Sequence, residues 1–371
     1  MTRDFWHWFR RPLVHACLAS ACCAACVSVF AQTSAGTQRR SAKAPAFSAA
    51  ALSAPPTDGW FTNGGNLANQ RYSPLASINR TNVAGLKPKW RTSLNGSGTA
   101  SKYSGQAQAL AYGGVIYVVT GADDVFALDA ESGAILWTYE ARLDEHIDAV
   151  CCGWLSRGVG LGDGRVYVGQ LDGKLVALDQ RTGTVAWSTQ AERWEDGFTI
   201  TAAPLYYDGL VITGFAGGDR ATRSRLKAFD AKSGKLRWTF YTIPGPGERG
   251  HDSWPQDTEA WKYGGAAIWQ TPAVDPQLGL VYFSTGNPGS YMNGAARAGD
   301  NLFANSIVAL DVRTGKYRWH FQEVHTTSGT TTRRTPSCCS TPRSRGACAR
   351  GSRKSARRAS RISSTARPGS R

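Results

Sequence analysis

The chain has 371 residues, a formal net charge of +16, 11% aromatic residues and only 19% charged ones. That length and apolar content allow one large domain or two ordinary ones around a sizeable core. The charge resembles a nucleic-acid signal until it is located: Thr326–Arg371 holds 12 Arg and Lys and no acid. The basic balance therefore belongs to the last segment and not to a folded face, with no aromatic interleaving, and nucleic-acid binding is excluded as the chain's function.

Taken from the N-terminus, Arg3, Arg10 and Arg11 precede an apolar run from Leu13 to Phe30, and Val29-Phe30-Ala31 offers small side chains at the −3 and −1 positions of a cleavage site. This order predicts a secretory signal peptide over residues 1–31 and export to an oxidising, periplasmic compartment. Two rivals are an uncleaved membrane anchor, since the run nears the length of a short span, and a lipid on Cys22. Either rival would make the protein membrane-attached. Residues 32–56, rich in Ala, Ser, Thr and Pro, are expected to form a flexible leader.

Four related segments follow: VFALDAESGAILW (125–137), LVALDQRTGTVAW (175–187), LKAFDAKSGKLRW (226–238) and IVALDVRTGKYRW (307–319). Each offers an apolar strand, an Asp-x-x-[Ser/Thr]-Gly turn and a second strand ending in Trp137, Trp187, Trp238 or Trp319, with a further strand before it. Asp and Gly suit the tight turn, and β-branched and aromatic residues suit the strands. Repeats of this length built from short strands predict an all-β fold, a β-propeller with about four strands per blade. The repeat aspartates (Asp129, Asp179, Asp230, Asp311) and tryptophans are read as structural. No segment sustains the apolar period of a helical solenoid.

Between the first two repeats lie Cys151 and Cys152, the only cysteines from Val27 to Ser337. Adjacent Cα atoms are about 3.8 Å apart, closer than the roughly 4.4–6.8 Å of an ordinary disulfide. The pair is either two space-filling thiols or a vicinal disulfide of the kind that marks a working surface. Export to an oxidising compartment favours the disulfide.

The repeats resemble those of the pyrroloquinoline quinone (PQQ) family, and DGWFTNGGNLANQRYSPLASIN (58–79) is similar to the opening segment of its methanol and ethanol dehydrogenases. The resemblance runs from about Asp58 to His325 and implies part of a propeller that the family builds with eight blades, about half the ring over residues 57–325. It also implies a site. Cys151 and Cys152 would lie flat against one face of PQQ and Trp269 would stack on the other. Arg157 would bind the quinone's oxygens and Thr201 a carboxylate. Ala216, Gly217 and Gly218 would border the cofactor as a turn, while Asp219 and Asn287 would ligate Ca²⁺ or a lanthanide through hard oxygens. Gln106 stands where the family presents a glutamate to PQQ, Asp219 is shorter than the usual metal glutamate, and Ala216 replaces a serine. The implied activity is oxidation of a primary or other small alcohol to an aldehyde or ketone by hydride transfer to PQQ, with electrons passed to a cytochrome c. The alternative is a non-catalytic propeller scaffold of the cell envelope that shares the repeat without the cofactor.

From Thr326 onward Leu, Val, Phe, Tyr and Trp disappear. One reading is a disordered basic arm. The other is a change of frame. The family continues His-Asp-Ile-Trp-Asp-Tyr-Asp-Ala, and codons for those residues read one base later give Thr-Thr-Ser-Gly-Thr-Thr-Thr-Arg, the sequence of Thr326–Arg333. The family's general-base aspartate falls in the replaced segment, so no catalytic base is assigned here and this chain is expected to be inactive.

Overall fold

Each repeat forms one four-stranded antiparallel sheet in the computed structural model, which describes residues 43–98 and 103–325. A short strand β1 (Tyr103–Ser104) precedes the first blade, made of β2 (Leu110–Tyr112), β3 (Val115–Val119), β4 (Val125–Asp129) and β5 (Ile135–Tyr139). Strand β6 (Trp154–Leu155) then pairs in parallel with β1. The second blade is β7 (Gly160–Gly162), β8 (Arg165–Gly169), β9 (Lys174–Asp179) and β10 (Val185–Gln190). The third is β11 (Leu205–Tyr207), β12 (Leu210–Gly214), β13 (Arg225–Asp230) and β14 (Leu236–Tyr241). The fourth is β15 (Ala273–Asp275), β16 (Leu280–Ser284), β17 (Ser306–Asp311) and β18 (Tyr317–Gln322). In every blade the strands pair in chain order, which is the expected propeller meander. The predicted signal peptide and the basic tail lie outside the described residues. Among those described, no helix is long and apolar enough to cross a membrane.

The turn motif has a direct physical account. Asp129 Oδ1 accepts from the Glu131 and Ser132 amides and from the Ser132 hydroxyl at 3.1, 2.8 and 2.8 Å. Asp179, Asp230 and Asp311 each hold the following turn in the same way. The closing glycine takes a positive φ, 72° at Gly183, which a side chain resists.

That glycine also makes room for a neighbour. Trp137 donates Nε1–H to the Gln180 carbonyl at 3.0 Å, Trp187 to Ala231 at 3.0 Å and Trp238 to Val312 at 3.1 Å, each bond joining one blade to the next. A Cβ at Gly183 would come 2.6 Å from the Trp137 ring, and one at Gly315 2.7 Å from Trp238. The β4–β5, β9–β10, β13–β14 and β17–β18 pairs each carry a register shift at the same repeat position. Gly183→Ala is expected to destabilise the chain by more than about 1 kcal/mol, because left-handed strain adds to displacement of the indole. Urea unfolding measures this, and a loss below about half of that would count against ring contact as the reason for glycine.

The core sits between blades, where Leu110, Val125, Val166, Leu178, Ile212, Leu226, Val281 and Val308 are buried in one cluster. The leader departs from expectation over its described part. Residues 43–56 are packed rather than flexible: Ala44, Phe47 and Leu52 are buried, and Phe47 stacks on Phe61 with centroids 5.1 Å apart. The Asp163 and Gly164 amides donate to the Pro45 and Ala44 carbonyls at 2.9 and 2.7 Å. A short helix α1 (Ala49–Ser53) is capped by the Ser48 hydroxyl. Two apolar side chains in an otherwise small and polar stretch are enough to anchor it.

Candidate functional site

Loops from the second, third and fourth blades and the segment around β6 enclose a cavity of about 330 Å³. Ten of the residues singled out in the sequence line it: Cys151, Cys152, Arg157, Thr201, Ala216, Gly217, Gly218, Asp219, Trp269 and Asn287. Gln106 does not. Its side chain is exposed and its amide donates to the Ser104 hydroxyl at 3.1 Å, so the glutamate-like role expected for it is not supported by its place.

Cys151 and Cys152 follow the turn at 144–147 with Cα atoms 3.9 Å apart and their sulfurs turned toward each other. Both are exposed on the cavity side of the chain. The loop is tied across the site, because Arg220 donates to the Asp148 carbonyl and pairs with its carboxylate at 3.5 Å.

Arg157 is fixed through its backbone and its head group. Its carbonyl accepts from Gln108 N at 3.0 Å and Asn63 Nδ2 at 3.2 Å, and its amide donates to the Thr201 carbonyl at 3.1 Å. Nη1 donates to Thr201 Oγ1 at 2.9 Å and to the Trp269 carbonyl at 3.2 Å, while the guanidinium lies 4.8 Å from the Trp269 ring centroid. Among the described residues no carboxylate pairs with it. Burial pushes its pKa down to about 10. It remains charged at neutral pH, and an anion entering the cavity would relieve that desolvation.

Asp219 lies in the 3₁₀ turn Gly218–Arg220, on the loop between β12 and β13. Gly217 holds φ 117° there, and a Cβ on it would collide with the Gly197 carbonyl. Asn287 lies on the loop between β16 and β17, one blade further on, and its carbonyl accepts from Ala266 N at 2.8 Å. Both loops reach the same cavity. Tyr291, four residues beyond Asn287, donates its hydroxyl to Asp219 Oδ1. Burial and that carboxylate both push the phenol pKa upward.

The lining suits the implied groups in two respects. A carboxylate and an amide offer hard oxygens to Ca²⁺ or a lanthanide, although a cation that takes six to eight oxygens needs further donors. Among the described residues no cluster of three or more His, Cys, Asp or Glu completes such a set; main-chain carbonyls, water or the cofactor would supply the rest. An indole and a sulfur pair supply apolar contact for a planar ring system. A Cβ on Gly286 would come 3.3 Å from the Ala267 carbonyl oxygen and one on Gly218 3.1 Å from the Ala267 Cβ, so both glycines let the cavity wall pack closely against Ala267. Sequence reasoning missed Val150, Leu155, Ala267, Gly286 and Tyr291 in the lining. None of the five left a signal of its own, although Val150 and Gly286 adjoin Cys151 and Asn287 in the chain.

A family described as "Glucose/ethanol/alcohol dehydrogenase, beta-propeller domain" matches residues 60–328. The chain is 40% identical over 278 residues to the quinoprotein alcohol dehydrogenase PedH of Pseudomonas putida, covering 70% of this chain and 45% of that one. It is 36% identical over 338 residues to the dehydrogenase subunit of a quinone alcohol dehydrogenase of Gluconacetobacter polyoxogenes, covering 85% and 44%. The quinohemoprotein alcohol dehydrogenase of Comamonas testosteroni superposes with a TM-score of 0.70 at 34% identity, over 76% of this chain and 43% of that structure. A europium-containing methanol dehydrogenase superposes with a TM-score of 0.67 at 32% identity, over 73% and 50%. The chain thus spans less than half the length of these curated relatives.

Proposed function

This chain belongs to the glucose/ethanol/alcohol dehydrogenase β-propeller family, and from that premise we propose that its cavity is a PQQ site with Ca²⁺ or a lanthanide ion beside it. The activity proposed for the lineage is oxidation of a primary or other small alcohol to the aldehyde or ketone, with a cytochrome c accepting the electrons in the periplasm. What supports this reading is convergence: residues scattered from Cys151 to Asn287, and expected together only from the resemblance, line one cavity.

When bound, PQQ supplies the hydride acceptor and the cation a Lewis acid. The chain's own residues bind and orient. Arg157 offers a fixed planar cation to quinone or carboxylate oxygens, and the Thr201 hydroxyl, held by Arg157 Nη1, offers a second polar contact. Trp269 and the cysteine pair contribute flat apolar surface and exclude water. Asp219 and Asn287 hold the cation. The base that takes the alcohol proton is proposed to lie in the family's frame after His325, where this chain reads Thr326–Arg333.

Purified chain incubated with PQQ and Ca²⁺ and then gel-filtered is expected to carry the quinone's absorbance with the protein. Elution of all quinone with the small molecules would overturn the reading and favour a scaffold. We also propose that Cys151 and Cys152 form a vicinal disulfide after export. Alkylation without reductant, followed by mass spectrometry, is expected to leave both unlabelled; ready labelling of both would refute the bond.

A further inference from the structure

We propose that Tyr291 is a positioning residue for the cation: its hydroxyl holds Oδ1 of Asp219, so that this short carboxylate presents its other oxygen to the metal. The inference rests on the reading of Asp219 and Asn287 as the cation's protein ligands. Asp219 has one methylene fewer than a glutamate and sits on a turn that Gly217 and Gly218 keep tight. A carboxylate with so short a reach cannot choose its angle by extending. Something must set its rotation, and the atom bonded to it is the Tyr291 phenol.

The phenol is itself held in place. Arg297 is 1% exposed, and its guanidinium faces the segment that carries Tyr291. Nε donates to the Ser290 carbonyl at 3.1 Å and Nη2 to the Tyr291 carbonyl at 3.4 Å, while Nη1 reaches Asn301 Oδ1 at 2.9 Å. Burying an arginine is costly unless its donors are used, and two of the bonds here fix the backbone at 290–291. A contiguous chain of contacts runs from Arg297 through the loop and the phenol to Asp219. Hydrogen bonds to a ligand's free atom orient that ligand, and losing one typically weakens metal binding by about 10–100-fold.

The test is equilibrium dialysis of the full chain against Ca²⁺, with PQQ present throughout and bound metal counted by atomic emission. Asp219→Asn is expected to abolish binding, and if it does not, the ligand assignment itself fails. With that arm satisfied, Tyr291→Phe is expected to weaken Ca²⁺ binding about tenfold or more while the melting temperature of the metal-free chain stays put. Binding within twofold of the parent would overturn the inference. A double-mutant cycle separates positioning from packing. In an Asp219→Glu background the longer carboxylate needs less guidance, so removing the phenol should cost markedly less there. An equal loss in both backgrounds would mean that Tyr291 acts through general packing, and would overturn the proposal.

Discussion

Returning the gene to the frame in which His325 is followed by His-Asp-Ile-Trp-Asp-Tyr-Asp-Ala is expected to convert an inactive chain into one that oxidises alcohol with PQQ and Ca²⁺. Two separate deficits are repaired at once. The first is chemical. In the proposed site Arg157, Asp219 and Asn287 would bind and polarise, and none of them is assigned the proton of the alcohol, while general-base catalysis is typically worth about 10²–10⁴ in rate. The second is structural. Trp137, Trp187 and Trp238 each bond to a glycine turn of the next blade, whereas Trp319, the repeat tryptophan of the fourth blade, is 42% exposed and meets no such turn among the described residues. At the other side Trp90 donates to the Ala130 carbonyl at 3.2 Å and Thr92 Oγ1 to Gly133. Trp187 and Thr189 dock on Ala231 and Gly234 in the same way. Residues 90–92 thus stand where the outer strand of a further blade would stand. The segment before them leaves Tyr72, Leu75, Ile78, Val83 and Leu86 more than half exposed. Dye-linked alcohol oxidation, run side by side on both proteins with added PQQ and Ca²⁺, should show turnover only in the frame-restored one. Robust turnover by the chain carrying Thr326–Arg371 would refute both the missing base and the change of frame.

The propeller was legible because its repeat encodes local physics. An aspartate two and three residues before free amides, and a glycine where φ must be positive, specify the turn from four positions alone. The tryptophans were legible as structural, but not what they bond to, since a contact 43 residues away leaves no local trace. The site divided along the same line. Cys151 and Cys152 announce themselves by adjacency, and the resemblance supplied Arg157, Asp219 and Asn287. Tyr291 did not show, because a tyrosine in a polar loop is ordinary until a carboxylate from another blade meets its hydroxyl. Gln106 shows the converse: its position in the sequence matched, while its exposed amide meets a serine two residues earlier and does not line the cavity. Over residues 43–56 the leader departs from expectation because composition averages away single anchors, and Phe47 and Leu52 are buried there.

Arg157→Met is expected to weaken PQQ retention by about 10–100-fold while leaving the empty protein as stable as the parent, or more so. The two effects have opposite origins. In the chain without ligand the guanidinium is partly desolvated, bonded among the described residues to neutral oxygens of Thr201 and Trp269, and its pKa is pushed down to about 10 by burial. Such a cation sits in its site at a cost, and replacing a poorly compensated buried charge by an apolar side chain of similar length is often neutral or stabilising. Stacking on Trp269 offsets part of that cost, since the guanidinium lies 4.8 Å from the ring. A methionine keeps much of the same contact, its sulfur being a tolerant neighbour of aromatic rings. For an anionic quinone the balance reverses, because hydrogen bonds from a charged donor are worth about 1.5–3 kcal/mol and the desolvation has already been met by the fold. Calorimetric titration with PQQ and thermal unfolding of the same preparations read the two effects separately. Unchanged retention would remove Arg157 from the binding site. A melting temperature lowered by more than about 3 °C, roughly 1 kcal/mol for a domain of this size, would mean that the arginine is there to hold together the segments leading into the second, third and fourth blades through Thr201 and Trp269, and that any grip on the quinone is secondary.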